Sequence, residues 1–172
     1  AKNAEVIKNA NCFFSHLSDR ICLLAIQNVS HNTGILGATG GQYLDMFPKD
    51  KTLETLNEII HKKTNTLFEI SFVFGWLFGG GDIQKLSEIK QLSAHFGTAF
   101  QITDDLEDIS QDIKNKHTAN VAVNFGKEKA FEMVQHEIHS FFSILEKLKI
   151  NDHEFKEIAT LLLIRAKKLF YS

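Results

Sequence analysis

Acidic side chains crowd one end of an apolar stretch near the middle of the sequence. The stretch "AFQITDDLED" places Asp104, Asp105, Glu107 and Asp108 directly after the run 99–102. Like charges at neighbouring helical positions repel, and beside an apolar run this repulsion is screened less than on a wetted surface. Mg²⁺ takes oxygen ligands and is usually held by one or two carboxylates together with substrate phosphates. The cluster therefore indicates a magnesium site or a solvated acidic turn.

The residues before this cluster share its helical face. Gly97, Gln101, Asp104 and Asp108 fall on one stripe of a helix, with Asp105 beside them. Gly97 has no side chain, so we expect it to leave this face open.

Two further stretches carry groups that could meet a phosphorylated substrate. "HKKTN" provides His61, Lys62, Lys63 and Thr64, and an ammonium next to a hydroxyl can bind a diphosphate. A solvated lysine pair and an interior histidine remain the alternatives. "GATGGQYLD" places Gln42 and Asp45 on one helix face behind several glycines, which indicate close approach or simple helix packing.

The elements that must position these groups are long helices. Proline occurs once in 172 residues, at Pro48, and turn dipeptides are scarce, which favours an all-α fold. Apolar spacing and breakers predict helices over about 6–29, 33–46, 53–78, 82–112, 127–149 and 153–170. We expect Asp50 or Thr52 to cap the third helix, the glycines 79–81 to end it, and Asp82 to cap the next.

Composition narrows the class of protein. A formal net charge of −2 lacks the basic excess of a nucleic-acid binder. Cys12 and Cys22 form no metal or disulfide pattern, and we expect buried free thiols in a reducing, cytoplasmic compartment. The most apolar run, 70–81, is shorter than the roughly 20 residues of a membrane helix. Membrane association would need residues outside this chain.

Three motifs in order give the sequence a family resemblance. GGQYLD, then KKT followed by LF, then GTAFQITDDLED resemble the trans-isoprenyl diphosphate synthases, which make farnesyl, geranylgeranyl and longer polyprenyl diphosphates. The resemblance covers about residues 30–130 by motif and implies an isoprenoid-synthase helical bundle around a deep cavity. It implies a prenyltransferase that joins an allylic diphosphate to isopentenyl diphosphate through a Mg²⁺-assisted allylic carbocation.

The resemblance also implies a role for each matching residue. Asp104, Asp105 and Asp108 match the second Asp-rich motif, in which the first aspartate coordinates Mg²⁺ and the others hold metal-bound water. Lys63 and Thr64 match the pair that contacts the allylic diphosphate. The remaining expected substrate-binding residues are Gln101, Gln42, Asp45 and Lys116, and Lys114 is an alternative to Lys116. Asp104 and Lys63 are the expected catalytic residues.

The sequence departs from the family pattern in two places. It holds a single DDxxD, at Asp104, and the facing first Asp-rich motif is absent. We therefore expect residues 1–172 to form the C-terminal portion of one helical domain, working as a homodimer or with a segment that bears the first motif. The long first helix, with Phe13, Phe14 and Leu17, offers either a dimer surface or a face buried within the bundle. The loop after the motif is short and lacks the family's proline, and product length cannot be read from this sequence.

Three other functions compete with this one. The missing motif would suit a non-catalytic regulatory subunit of a prenyl synthase, although intact Asp104 and Lys63 count against it. An unrelated helical interaction module would need three accidental motifs. A terpene cyclase also uses magnesium and diphosphate, but its second motif differs from FQxxDD.

Overall fold

The computed structural model describes the backbone of residues 2–150 and 153–172, and the side chains from residue 16 onward in those ranges. In this part of the chain every regular element is helical, which confirms the all-α prediction. The α-helices are α1 (Lys2–Thr33), α2 (Ala38–Met46), α3 (Leu53–Ile60), α4 (Thr66–Phe78), α5 (Leu86–Glu107), α6 (Ile109–Asn115), α7 (Val121–Phe125), α8 (Lys127–Leu148) and α9 (His153–Tyr171).

The ends of the third predicted helix follow from its capping residues. Thr52 caps α3, since its Oγ1 accepts a hydrogen bond from the backbone N–H of Thr55 at 3.3 Å. Asp50 supports this cap by accepting from the Thr52 hydroxyl at 2.6 Å. At the other end α4 stops before Gly79, and Gly80 takes a left-handed φ of 81° that favours glycine. Asp82 then caps a short 3₁₀ turn, Ile83–Lys85.

The predicted helix over 53–78 is not regular throughout. A π-helical turn, His61–Asn65, joins α3 to α4. Such a turn carries one additional residue, and single π turns within α-helices occur frequently at functional sites. Apolar spacing does not reveal it, and it lies at the predicted Lys63–Thr64 pair.

Three other boundaries differ from the prediction. α2 begins at Ala38 because α1 continues through Thr33 and a turn at Gly34 and Gly37 separates the two helices. The helix predicted to reach residue 112 ends at Glu107, and α6 restarts at Ile109. The short α7 was not predicted, and Asn120 caps it by accepting from the Val123 N–H at 2.8 Å.

The core lies around α5, which packs against α4, α8 and α9. On α8 the buried residues recur at three and four positions and give this helix a continuous apolar face; they are Ala130, Val134, Ile138, Phe141 and Leu145. A smaller cluster, around Ala25, Val73 and Leu77, joins α1 to α4. α5 is therefore held on several sides, which fixes the position of the acidic motif at its C-terminal end.

The predictions for the first helix have mixed outcomes. Cys22 is exposed on α1, so the prediction of a buried thiol is wrong at this position, because the residue lies on the outer side of the helix. Leu17 is 38% exposed, and its place in a dimer surface stays a prediction. The side chains of Cys12, Phe13 and Phe14 lie outside the described residues. Within the described part, no helix combines the length and apolar character needed to cross a bilayer.

Candidate functional site

A cleft of about 630 Å³ brings together residues from α2, the π turn, α4 and α5. Its polar lining contains four residues that the sequence predicted for substrate binding: Gln42, Lys63, Thr64 and Gln101. Its apolar lining comes from Ala38, Leu67, Phe68 and Phe100, with Thr39 at the edge. A cleft lined both by charged and amide groups and by aromatic rings suits a ligand that has an anionic head and an apolar tail.

Two glycines allow the helices to approach closely around this cleft. A Cβ placed on Gly41 would lie 2.2 Å from the backbone nitrogen of Lys63, so α2 touches the backbone of the π turn. A Cβ on Gly97 would lie 2.5 Å from Oδ1 of Asn65. The expectation that Gly97 leaves its face open is wrong, because the π turn fills that space. Both glycines instead mark contacts that set the width of the cleft.

Lys63 is held by a buried carboxylate. Its Nζ lies 2.7 Å from Oδ2 of Asp45, which is 7% exposed, and His117 Nε2 lies 3.6 Å from Oδ1 of the same group. A carboxylate removed from water needs a cationic partner. The pair therefore fixes the Lys63 ammonium at the cleft. His117 was not predicted, since its only sequence signal is its place beside Lys116.

A chain of hydrogen bonds links the cleft to the acidic motif. The Thr64 hydroxyl donates to Gln101 Oε1 at 2.7 Å, and Gln101 Nε2 donates to Asp105 Oδ1 at 3.1 Å. The other oxygen of Asp105 accepts from the backbone N–H of Val121 at 2.7 Å. Asp105 is thus turned toward protein donors, and its burial raises the pKa of the carboxyl to about 6. It connects the end of α5 to α7 and orients Gln101.

Asp104 faces another direction from Asp105. Its Oδ1 lies 2.9 Å from Nη2 of Arg165 on α9, and the same nitrogen contacts Glu107. Partial burial raises the pKa of Asp104, an effect that Arg165 opposes and the neighbouring Asp108 and Glu107 carboxylates reinforce. Asp108 is exposed. Asp104 and Asp108 therefore share a partly open acidic surface from which Asp105 is turned away.

The acidic surface at Asp104 and Asp108 offers part of the ligand set that Mg²⁺ requires. Among the described residues, no three acidic, histidine or cysteine side chains converge as a complete metal cage. Mg²⁺ does not require one, since one or two carboxylates with substrate phosphates usually hold it. The Arg165 guanidinium already beside Asp104 shows that the surface attracts a cation. The donors at Asp104 and Asp108 therefore fit a magnesium ion that shares its coordination with a phosphorylated ligand.

The predicted loop lysine lies outside the cleft lining. Lys116 ends α6 in a left-handed conformation, with φ at 56°, and its side chain is exposed, like that of Lys114. Its neighbour His117 contacts Asp45, so the loop runs beside the Lys63 pair. His61, weighed as an interior histidine, is exposed.

Aromatic rings close the apolar side of the cleft. Phe68 contacts Phe100 with ring centroids 5.3 Å apart and Phe96 with centroids 5.2 Å apart. Phe96 also contacts Phe72, one helical turn further along α4. Phe68 and Phe100 thus line the cleft, whereas Phe96 is a core residue at 8% exposure.

Comparison with known proteins shows the family to which this chain belongs. The sequence model of the polyprenyl synthetase family matches residues 9–124. This range contains the cleft residues and the acidic motif described above, whereas Arg165 lies outside it. The chain belongs to the polyprenyl synthetase family. This also confirms the resemblance on which the predicted bundle and site rest.

The similar proteins within this family differ in origin. The chain is 34% identical over 97 residues to a trans-prenyltransferase of African swine fever virus, covering 56% of this chain and 29% of the viral one. It is 40% identical over 90 residues to a farnesyl diphosphate synthase of Geobacillus stearothermophilus, covering 51% and 30%. A solved geranyltransferase from Helicobacter pylori superposes with a TM-score of 0.68 at 27% identity, covering 91% of this chain and 55% of that one. The matches therefore span less than a third of the curated relatives and about half of the solved one.

Proposed function

We propose that this chain supplies one half of a magnesium-dependent trans-prenyltransferase, which joins an allylic diphosphate to isopentenyl diphosphate and releases a longer prenyl diphosphate. The observation that carries the proposal is the meeting of Gln42, Lys63, Thr64 and Gln101 in one cleft. These residues come from three separate stretches of the sequence, and the family motifs contain all four.

Lys63 and Thr64 would bind the diphosphate of the allylic substrate. Breaking the allylic carbon–oxygen bond leaves negative charge on the departing diphosphate, and a fixed ammonium and hydroxyl stabilise that charge. Within the chain the partner of the Lys63 ammonium is Asp45, at 2.7 Å. Substrate binding would therefore give the ammonium a second anionic partner beside a carboxylate that already holds it in place.

Asp104 and Asp108 would hold Mg²⁺ at the diphosphate. When bound, the ion would offset the charge that develops on the leaving group. Asp105 would act indirectly, because its carboxylate orients Gln101, which in turn orients the Thr64 hydroxyl. Of the three aspartates predicted at the metal, we therefore assign the metal-facing positions to Asp104 and Asp108.

The aromatic side of the cleft would hold the prenyl chain. Leu67, Phe68 and Phe100 offer apolar surface directly beside Lys63 and Thr64. Water would quench an allylic cation, so a site of this kind must exclude water from the reacting carbon. An aromatic face next to that carbon also stabilises positive charge.

A second segment would complete the site. This sequence lacks the first Asp-rich motif, and its solved relative is nearly twice as long as the matching part. We therefore propose that the active form contains a helical segment that bears that motif.

The proposal can be tested through diphosphate binding. Titration calorimetry of the protein as isolated with inorganic diphosphate and Mg²⁺ should show Lys63→Ala weakening binding about tenfold, because a charge-assisted contact is lost. Lys62→Ala is the matched control: this adjacent lysine pairs with Glu58 at 2.7 Å and does not line the cleft. Equal losses in the two variants, or no loss in Lys63→Ala, would remove Lys63 from the site.

A further inference from the structure

Arg165 reaches the acidic motif from outside the part of the chain that carries the family match. It lies on α9, and the family model ends at residue 124. Its Nη2 lies 2.9 Å from Oδ1 of Asp104 and also contacts Oε2 of Glu107. One guanidinium therefore serves two carboxylates at the surface where the proposed function places a metal ion.

The position of this guanidinium is set by the packing of α9. Ala159, Leu162 and Ala166 are buried, and they seat the helix against α5 and α8. The Arg165 side chain itself remains 41% exposed. Its backbone is thus fixed, while its outer atoms have room to move at the protein surface.

Charge explains why a cation is needed here. Asp104, Glu107 and Asp108 lie within five residues of one another, and their carboxylates repel each other at this short spacing. A divalent cation on Asp104 would remove this repulsion, but it would also repel a guanidinium a few ångströms away. The two cations therefore compete for one carboxylate.

We propose that Arg165 is a displaceable counter-cation of this metal site. It neutralises Asp104 and Glu107 in the metal-free chain and yields Asp104 when a divalent cation binds. Glu107 already shares its guanidinium, so Arg165 keeps an anionic partner after it leaves Asp104. The inference rests on the proposed function, because it requires Asp104 to face the metal.

Mn²⁺ binding tests the proposal without any catalytic assay. Electron paramagnetic resonance can measure free Mn²⁺ in titrations of the protein as isolated, with inorganic diphosphate as the only ligand. Arg165→Gln should bind Mn²⁺ about three- to fivefold more tightly, which corresponds to the coupling of a partly exposed ion pair. Arg165→Lys keeps the charge and should stay near the wild-type affinity.

Two controls separate competition from a general charge effect. Lys168→Gln removes one positive charge from an exposed position on the same helix and should leave Mn²⁺ affinity unchanged. Asp104→Asn introduced into Arg165→Gln should abolish the gain. Circular dichroism spectra and thermal melts show whether each variant is folded, and Arg165→Met, which also removes the charge, replaces Arg165→Gln if that variant does not fold.

The outcomes distinguish this proposal from the one on which it rests. Unchanged or weaker Mn²⁺ binding by Arg165→Gln, with wild-type binding intact, would overturn the counter-cation role and leave the proposed function standing. No Mn²⁺ binding by the wild type in the presence of inorganic diphosphate would overturn the metal site and this proposal with it.

Discussion

At the residue scale, the pair of Lys63 and Asp45 couples stability to the proposed function. Asp45 is buried and its carboxylate lies 2.7 Å from the Lys63 ammonium, so each group depends on the other. Removing one member of such a pair leaves an uncompensated charge in a poorly hydrated place. A substrate-binding lysine is therefore also a structural residue in this chain.

We expect Lys63→Ala to lower the free energy of unfolding by about 2 kcal/mol, because Asp45 would keep its burial and lose its closest cation. The double variant Lys63→Ala with Asp45→Asn should recover at least half of this loss, since no buried charge remains. Urea denaturation followed by circular dichroism measures both values. Additive losses in the double variant would show that the two side chains do not interact.

The raised pKa of Asp105 leads us to expect that the stability of the chain depends on pH. Burial raises the pKa of this carboxyl from 3.8 to about 6, so the folded chain binds its proton more tightly than the unfolded chain does. The contribution of Asp105 to stability is therefore largest below pH 4 and is lost as the pH rises through 6. Relative to Asp105→Asn, the wild type should lose up to about 3 kcal/mol between pH 4 and pH 7. Denaturation in EDTA across this range tests it, and a difference that does not change with pH would contradict it.

The residues of the cleft were predictable, but their partners were not. Lys63, Thr64 and Gln101 belong to family motifs that can be recognised in the sequence. The contacts of Arg165 and His117 with Asp104 and Asp45 depend on where α9 and the loop after α6 pack. Long-range packing of this kind leaves no local signal in residue spacing. For the same reason the sequence grouped Asp105 with Asp104, although the fold turns their carboxylates in different directions.

At the element scale, the π turn His61–Asn65 is the feature that shapes the site. α2 and α5 both meet it through glycines, at Gly41 and Gly97. The helical span 53–78 could be predicted from apolar spacing and caps, and the structure confirms it. The π turn could not be predicted, because residues 61–66 are all polar and so contain no apolar spacing that could reveal the additional residue.

We expect Gly41→Ala to lower the free energy of unfolding by about 1–3 kcal/mol, because the new Cβ would collide with the backbone of Lys62 and Lys63. Gly75→Ala is the matched control: this helical glycine has nothing within 4 Å of its Cβ position, and alanine should stabilise it by about 0.5–1 kcal/mol. Thermal melts compare the two variants. Similar changes in both would show that α2 does not touch the π turn as described.

At the scale of the whole molecule, the cleft is bordered by apolar surface that the described residues leave uncovered. Six side chains on and around α2 and the start of α4 are each at least half exposed; they are Ile35, Leu36, Tyr43, Met46, Phe47 and Leu67. Among them, the rings of Tyr43 and Phe47 contact each other with centroids 5.3 Å apart, and exposed apolar side chains that group together are typical of an interaction surface. Leu67 also lines the cleft, so we propose these side chains as the contact surface for the segment with the first Asp-rich motif.

We expect Met46→Asp to weaken assembly of the native protein at least about tenfold, because a charge would enter an apolar contact. Leu161→Asp on α9 is the matched control, since the two side chains are 62% and 57% exposed. Light scattering and intact-mass analysis of the protein as isolated would follow the assembly. Equal weakening by both variants would place the contact elsewhere.

The most direct test of the account is a Mg²⁺-dependent elongation assay on the native assembly, with isopentenyl diphosphate and radiolabelled allylic diphosphates of increasing length. The account predicts longer labelled prenyl diphosphates in the wild type, and loss of this product in EDTA and in Asp104→Asn. An assembly that contains a segment with the first Asp-rich motif and binds diphosphate but elongates no allylic substrate would contradict the account, and a regulatory role would take its place.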